Sequence, residues 1–525
     1  MLPNMKYSLG TRKIPVGQFG GLDRTPGAGN GAICDMLNLS GDQFPLLSTR
    51  ERRGILRRLE RPGGLFSWGK LVWVDGTEFF YDGVKRGEVI EGRKTFVGLG
   101  SRVLVFPDKV YYDTADGSFG SMEASFEGSV VFEDGTLLGA EAMGNTIRCA
   151  GIDWRDYFRE DDAVTISGCE EHPENNQTII IREIDGEQLR FSTDSFTIGQ
   201  ESGSVRISRE LPELDFVCAC DNRLWGCAGN RIYASKLGDP FNFEHFDGLK
   251  TDAWQVDTGS AGSFTGCATY GGYPVFFKED RIYKVYGTMP SNYEVAETLF
   301  LGVEFGSEHS CAVAGDVMFY LSGNGVTAYT GGIPKLAGAA LGPDRLKNAV
   351  GGSDGLKYYM SAQTADESWV IYVYDTRSGL WHKEDFLQVT HFAFLERKLY
   401  FLSADGEIYY NWDMREADAQ LEQPFFWYAE FADFDESSPN SKFAGKLQLR
   451  LELMAGSFVR VLMMFDSSGK WERLAEIAGP KVKHSTYIQV IPRRCDHYRI
   501  RLEGYGQLKV YSMTIESAPG TEGRM

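Results

Sequence analysis

The sequence predicts an all-β protein: a six- or seven-bladed β-propeller, interrupted by an inserted small β-barrel and followed by a C-terminal β-sandwich. Three observations predict it. A hairpin of two short apolar strands recurs along the middle of the chain. Glycine and aromatics are abundant together, with 61 Gly, 34 Phe and 25 Tyr in 525 residues, which suits tight turns joining pleated strands. Short strands and turn residues also run nearly end to end, and at this length they must divide among several packed units.

Residues 1–63 read as an N-terminal arm with the first strands. The first propeller segment, 64–121, holds GKLVWVDGTEFFYDG from Gly69 and SRVLVFPDKVYYDT from Ser101. The propeller resumes over 211–413, with hairpins beginning at Asn222, Gly272, Gly315, Gly355 and Arg397. A spacing of roughly 40–50 residues with several strands per repeat suggests propeller blades. Each blade is a small sheet that buries its faces only by stacking on neighbours. The segment Tyr374 to Trp381 suits such a hairpin, with Asp and Gly in the turn and Trp between blades.

The step from Ser101 to Asn222 exceeds one repeat by roughly 75 residues, which marks an insert at 122–210. Its Asp162–Ser208 stretch shows apolar runs in AVTIS, TIIIREI, QLRFS and SVRIS, with turns at Asn175-Asn176 and Asp185-Gly186. Four or five short strands in so few residues describe a small barrel. Residues 414–424 are polar and acidic and read as a linker or short helix. From 425 to 518, six to eight antiparallel strands, with a hairpin turn at Asp466 to Gly469, imply the sandwich. Residues 519–525 read as a tail.

The formal net charge is −19, which argues against a protein that coats nucleic acid by charge alone. It suits a soluble protein or a channel wall that lets DNA slide. Nine scattered cysteines without a CxxC pair fit reduced thiols. The first residues lack a signal-peptide layout, and no window of 18 apolar residues occurs, so the expectation is no membrane span and folding in the cytoplasm. No Gly-rich phosphate loop, HExxH or GxSxG element is present, and the seven histidines show no metal-ligand spacing. Neither a catalytic set nor a cofactor is expected. Cys218 and Cys220 share one face of a strand and read as core. Glu279, Asp280, Asp375 and Asp405 lie in expected blade turns and could face a propeller mouth as glycosidase carboxylates do. They are more simply turn formers.

Two basic stretches break the acidic background. Arg50, Arg52, Arg53, Arg57, Arg58 and Arg61 crowd the segment before the first blade. Lys481, Lys483, Arg493, Arg494, Arg499 and Arg501 do so near the end of the sandwich. Arginine forks pair with carboxylates and phosphates. Contact with acidic neighbouring subunits, a solvated face, and contact with passing DNA all stay open as readings.

The opening FGGLDRTPGAGNGAICDMLNLSGDQFPLLSTRERRG resembles the N-terminal passage of the tail-nozzle proteins of tailed bacteriophages. The matching elements are Phe19 to Leu22, Met36 to Pro45, and the arginine-rich Ser48 to Arg53. The passage Ser235 to Asp247, with its Gly-Asp-Pro-x-Asn-Phe element, is similar to that family as well, and the C-terminal stretch from Ile491 resembles the terminal β-sandwich of virion proteins. The resemblance implies a virion protein forming a ring, a hexamer, around the DNA exit channel of a tail or neck. Its partners would be neighbouring tail or neck proteins and double-stranded DNA passing without sequence preference, with assembly in the host cytoplasm. The insert departs from that pattern. A carbohydrate-binding or carbohydrate-cleaving propeller is the competing reading, and an intracellular scaffold propeller a third.

Overall fold

A computed structural model describes residues 10–135, 144–411, 419–436 and 441–520. The two strands of each expected hairpin are the second and third strands of a four-stranded antiparallel sheet, and seven such sheets are present among the described residues. In chain order they occupy 62–88, 95–121, 216–257, 266–298, 312–336, 347–383 and 389–411, the seventh completed from elsewhere. The protein is therefore all-β, with blade sheets of the propeller type. It divides into two compact units. One is Glu60–Glu304, and the other joins the chain before it to the chain from Phe305 onward.

The middle strands form because they are covered on both faces. Lys70–Asp75, Tyr273–Lys278 and Val317–Ser322 are each buried along almost their whole length, as continuous apolar runs between turns predict. The turns need left-handed backbone. Asp221 and Asn222, at φ 50° and 55°, make the tight link of the third sheet, the conformation that two-residue hairpins favour and Asn and Asp tolerate.

In the Glu60–Glu304 unit, neighbouring sheets share apolar cores. Val72, Val74 and Phe79 of the first meet Val103, Val105 and Tyr112 of the second. Leu104 of the second meets Leu224 and Phe243 on the third, and Trp225 of the third meets Phe276 and Tyr283 of the fourth. Cys218, Cys220 and Cys227 lie in that last core, where burial pushes the Cys220 thiol up to about 12.

The insert belongs to this unit. Among the described residues it has nine strands in two sheets of four and five, six of them starting within Asp162–Ser208 where four or five were expected, and they face a core that includes Phe126, Trp154, Ile166, Ile181 and Phe191. The run TIIIREI is not one strand. Thr178–Ile180 belongs to one sheet and Glu183–Asp185 to the other. The backbone changes partner between Ile181, which donates to the Asp162 carbonyl, and Arg182, which donates to Arg190. Fully buried Glu201 accepts the amides of Glu170, Glu171 and His172 at 3.0–3.1 Å.

In the other unit, Phe319 and Tyr358 stack between the fifth and sixth sheets. Tyr359, Ile371 and Val373 meet Leu399 and Phe401 between the sixth and seventh. Trp381 packs as expected between blades, its indole N–H donating to the Ala337 carbonyl at 3.0 Å. The fourth strand of the seventh sheet is Arg53–Arg58, which pairs with Glu407–Asn411 in an antiparallel ladder. The arm thus supplies a blade strand. Gly54 is required there, because a Cβ would stand 2.2 Å from the Tyr410 ring.

The sandwich also differs from the expectation that 425–518 builds it alone. Its seven-stranded sheet includes Arg12–Val16, Leu39–Ser40 and Leu47–Thr49, and its five-stranded sheet includes Ile33–Leu37. The physical reason lies in the long strand Leu508–Pro519. One of its edges pairs with Lys442–Leu453 and the other with Arg12–Val16 and Leu47–Thr49, so the arm covers an edge that would otherwise be open. Leu447, Val461, Leu502, Val510 and Ile515 are among the residues filling the interior. Of the expected linker, Met414 to Asp418 lies outside the described residues, as does the tail from 521. Beyond them Gln420 accepts the Ile55 amide at 2.7 Å, so the linker's end runs along the closing strand.

Candidate functional site

The arm crosses from the sandwich to the seventh sheet at the first basic stretch, and there it forms a polar seam. Strand pairing holds Arg53 against the seventh sheet, and the Arg50 amide donates to the Asn38 carbonyl at 3.1 Å. Arg50 is 5% and Arg53 4% exposed. The Arg50 guanidinium donates to Asn38 Oδ1 at 2.7 Å and Asp385 Oδ2 at 3.2 Å, is closely paired with Glu422, and lies 4.1 Å over the Phe425 ring. Arg53 donates to Asp385 Oδ2 at 2.6 Å and Glu384 Oε2 at 2.5 Å and lies 5.1 Å over Phe401. Arg52 donates to the Glu422 carbonyl at 2.6 Å.

Burial works against charge on Arg53, but Asp385, Glu384 and Glu422 override it and raise its pKa. Burial likewise works to protonate Asp385, and Arg53 and Arg50 override it to hold that carboxyl below its usual range. Next to the seam is a cleft of about 180 Å³, lined by Arg50, Arg53, Asp42, Lys357 and Tyr359 among others. Asp42 is closely paired with Lys357. The Asp42 carboxyl stays low although burial opposes it, because Lys357 outweighs burial. His382 is buried nearby, with its Cε1 2.8 Å from where a Gly41 Cβ would be. Burial, and then Lys357, push its pKa down to about 4.

The seam corrects the first contact-surface expectation. Arg50 and Arg53 spend their forks on carboxylates of their own chain, and Arg57, Arg58 and Arg61 of that stretch are the exposed ones. Sequence reasoning missed their partners, Glu384, Asp385 and Glu422, because these lie more than 300 residues away.

The second basic stretch is at the surface. Lys481 and Lys483 lie on Lys481–Gln489, an outermost strand that pairs only with Lys442–Leu453 among the described residues. Lys483 Nζ lies 4.8 Å over the Tyr511 ring. Arg493 donates to Glu472 at 2.6 Å, and Arg494 is exposed. Val482 and Ile491 beside them are 87% and 86% exposed.

The candidate carboxylates are not assembled into a pair. Asp375 is buried and holds Arg377 at 2.7 Å in the turn between third and fourth strands of its sheet. Asp405 is exposed in a turn between second and third strands, which opens at the other end of such a meander. Asp280 pairs with Arg281 at 3.0 Å, and Glu279 is exposed beside it. The histidines hold one surprise. The turn at Asp466 brings Asp466, Asp496 and His497 ligand atoms within 4.8 Å of one another, a set that could hold a cation. His497 Nε2 is already 2.7 Å from Ser467 Oγ. Only the adjacency of Asp496 and His497 hinted at it.

No family model and no curated protein matches the chain. Solved structures do, at low scores. Hsv2 from Kluyvelomyces marxianus aligns at 11% identity and TM-score 0.27, over 52% of this chain and 87% of its own. An exo-β-1,3-galactanase from Phanerochaete chrysosporium, solved with galactose, aligns at 7% identity and TM-score 0.21, over 56% of this chain and 92% of its own. A bifunctional GH43-CE protein of Bacteroides eggerthii aligns at 10% identity and TM-score 0.21, over 56% and 60%. At such scores no activity passes to this chain. No helix among the described residues is long and apolar enough to cross a membrane.

Proposed function

We propose that the protein is a structural component of a tailed-phage virion, without chemistry of its own. It would form a ring, a hexamer, at the nozzle or neck of the tail around the DNA channel and take part in genome retention and ejection. The observation that carries this reading is the arm. The residues that resemble the tail-nozzle passage are the ones that lock the chain's two ends together. Leu22 donates its amide to Trp381, and Gly21, at φ 68°, leaves no room for a Cβ, which would stand 2.7 Å from the Trp381 carbonyl. Ile33–Leu37 pairs with Phe426–Phe431, and Arg53–Arg58 closes the seventh sheet. A chain whose first strands are woven into its last is suited to carrying load from packaged DNA, because no terminus can peel without breaking buried ladders and ion pairs. Electron microscopy and sedimentation velocity of the purified chain test it. Six copies of 58.6 kDa should sediment as one ring-shaped species of roughly 350 kDa; a monomer at all concentrations would contradict the ring.

One observation favours the carbohydrate-binding alternative. A cleft of about 570 Å³ opens between the insert and the 235–253 loop of the third sheet, with Asp161, Thr178, Thr193, Lys236 and exposed Phe246 in its walls. Its size suits a small ligand. Binding on a glycan array that is lost in Phe246→Ala would support a receptor-binding role, and silence on the array would remove it.

A further inference from the structure

The seven-stranded sheet of the sandwich turns one face to the core and the other outward. Along its strand Lys442–Leu453, Leu447, Leu449 and Leu451 are buried, and the residues between them alternate to the outside. Arg450 is exposed there between two hydroxyls, directly opposite Ser485 on one neighbouring strand and Ser512 on the other. Lys446 lies on the same face with Gln489 opposite, its Nζ 4.6 Å over the Tyr487 ring. Lys483 Nζ lies over Tyr511, and exposed Arg494 pairs opposite Phe443 near the start of the strand. Lys446 and Arg450 thus join Lys483 and Arg494 of the second basic stretch in one row. From Phe443 to Arg450 it runs roughly 23 Å, at about 3.3 Å per residue.

The carboxylates these strands place on the same face, Glu516 and Glu452, are matched elsewhere. Glu516 holds Lys13 at 3.5 Å, and Glu452 stands opposite Lys509 and accepts the Tyr511 hydroxyl at 2.9 Å. Among the described residues no carboxylate forms an ion pair with Lys446, Arg450, Lys483 or Arg494.

We infer that this face contacts the phosphate backbone of double-stranded DNA. The inference rests on the DNA-channel reading and names the surface that meets the DNA. Arginine forks, lysines and Ser, Thr and Gln side chains bind phosphate oxygens without reading sequence. Each DNA strand carries one phosphate per about 3.4 Å of axis, so a row this long fits a chain of phosphates rather than a single one. The tyrosines hold lysines over their rings and Tyr511 spends its hydroxyl on Glu452, which favours a phosphate chain over a stacked sugar. Few cations on a chain of net charge −19 make a weak, salt-sensitive grip, which holds DNA and still lets it slide.

Fluorescence anisotropy of a labelled duplex with the full-length chain tests it, between about 50 and about 200 mM salt. Two unrelated sequences should bind alike, with the logarithm of affinity falling linearly with the logarithm of salt. Arg450→Gln should reduce the steepness of that line by about 0.9, and Lys446→Gln/Lys483→Gln/Arg494→Gln by about 2.7. Arg450→Lys keeps the charge and should keep the slope, and Arg58→Gln, exposed on the closing strand of the seventh sheet, should leave it unchanged. No binding at about 50 mM salt, or a slope that Arg450→Gln leaves in place, overturns the contact. Hyaluronate, a carboxylated glycan, overturns it too if it displaces the duplex at an equal concentration of negative charge. These failures leave the ring reading in place, since sedimentation reads the ring separately. A monomer that binds duplex through Arg450 would overturn the ring and keep this face.

Discussion

Replacing Arg53 by Met removes the central cation of the arm seam. Arg53 is 4% exposed, and its partners Glu384 and Asp385 have side chains 12% and 19% exposed. Breaking a buried pair by deleting one partner costs about 3–5 kcal/mol, since the other charge stays behind in a poorly hydrated place. Arg50 still reaches Asp385 at 3.2 Å, so mainly Glu384 loses its partner, and the lower end of that range, about 3 kcal/mol, applies. The assay is hydrogen exchange of residues 389–411 at pH 7, with a urea melt beside it. Exchange is the more specific readout, because two units can unfold separately and the closing strand belongs to only one. Amides of Glu407–Asn411 should lose roughly a hundredfold of protection. Adding Glu384→Leu should recover some of the loss, because an apolar pair of similar volume can replace a buried ion pair. Arg58→Met, on the exposed end of the same strand, should change stability by less than about 0.5 kcal/mol. A loss below about 1 kcal/mol for Arg53→Met would refute the view that this seam holds the seventh sheet closed.

Acid should loosen the same unit. The His382 pKa is about 4 folded against about 6.5 unfolded, so between these values the unfolded chain holds a proton that the folded chain lacks. Stability is therefore full above about pH 6.5 and falls as pH drops toward 4, by about 3 kcal/mol in all. His382→Gln should flatten that slope in melts taken from pH 7 to 4, and an unchanged slope would disprove the assignment. Asn242, 1% exposed, accepts the Ala163 amide at 2.9 Å and donates to Asp162 at 3.1 Å, which fixes the insert to the third sheet. Asn242→Ala strands those groups at a cost of about 2–4 kcal/mol and should make the insert boundary near residues 122 and 210 sensitive to limited proteolysis; equal cleavage of both proteins would count against it. Glu201→Ala leaves three part-buried amides without their carboxylate acceptor and should lower the melting temperature of the insert by several degrees, and calorimetry would show its failure as an unchanged transition.

The hairpins were legible because their two strands are the covered centre of each sheet, where apolar runs and left-handed turn residues stand next to each other in sequence. Lys70–Asp75 and Val317–Ser322 announce themselves in this way. The outer strands do not: Val84–Glu88 reads VKRGE and is mostly exposed, with no pattern to distinguish it from a loop. Pairings across hundreds of residues left no local trace either. Nothing near Arg53 predicts Asn411 as its ladder partner, and nothing near Arg12 predicts Ser517. The arginine stretch was visible as charge, but its burial was set by those distant pairings. The basic edge at Lys481 and Lys483 was visible too, whereas its exposure depends on the sheet order.

A ring that retains and releases a genome must belong to the particle. The decisive measurement is gold labelling of the chain, with copy counting by quantitative mass spectrometry, on tailed particles purified from cells that produce it. The expected result is label at one end of the tail and six copies per particle. Purified particles devoid of the chain, with all of it left in the soluble lysate, would contradict the virion role.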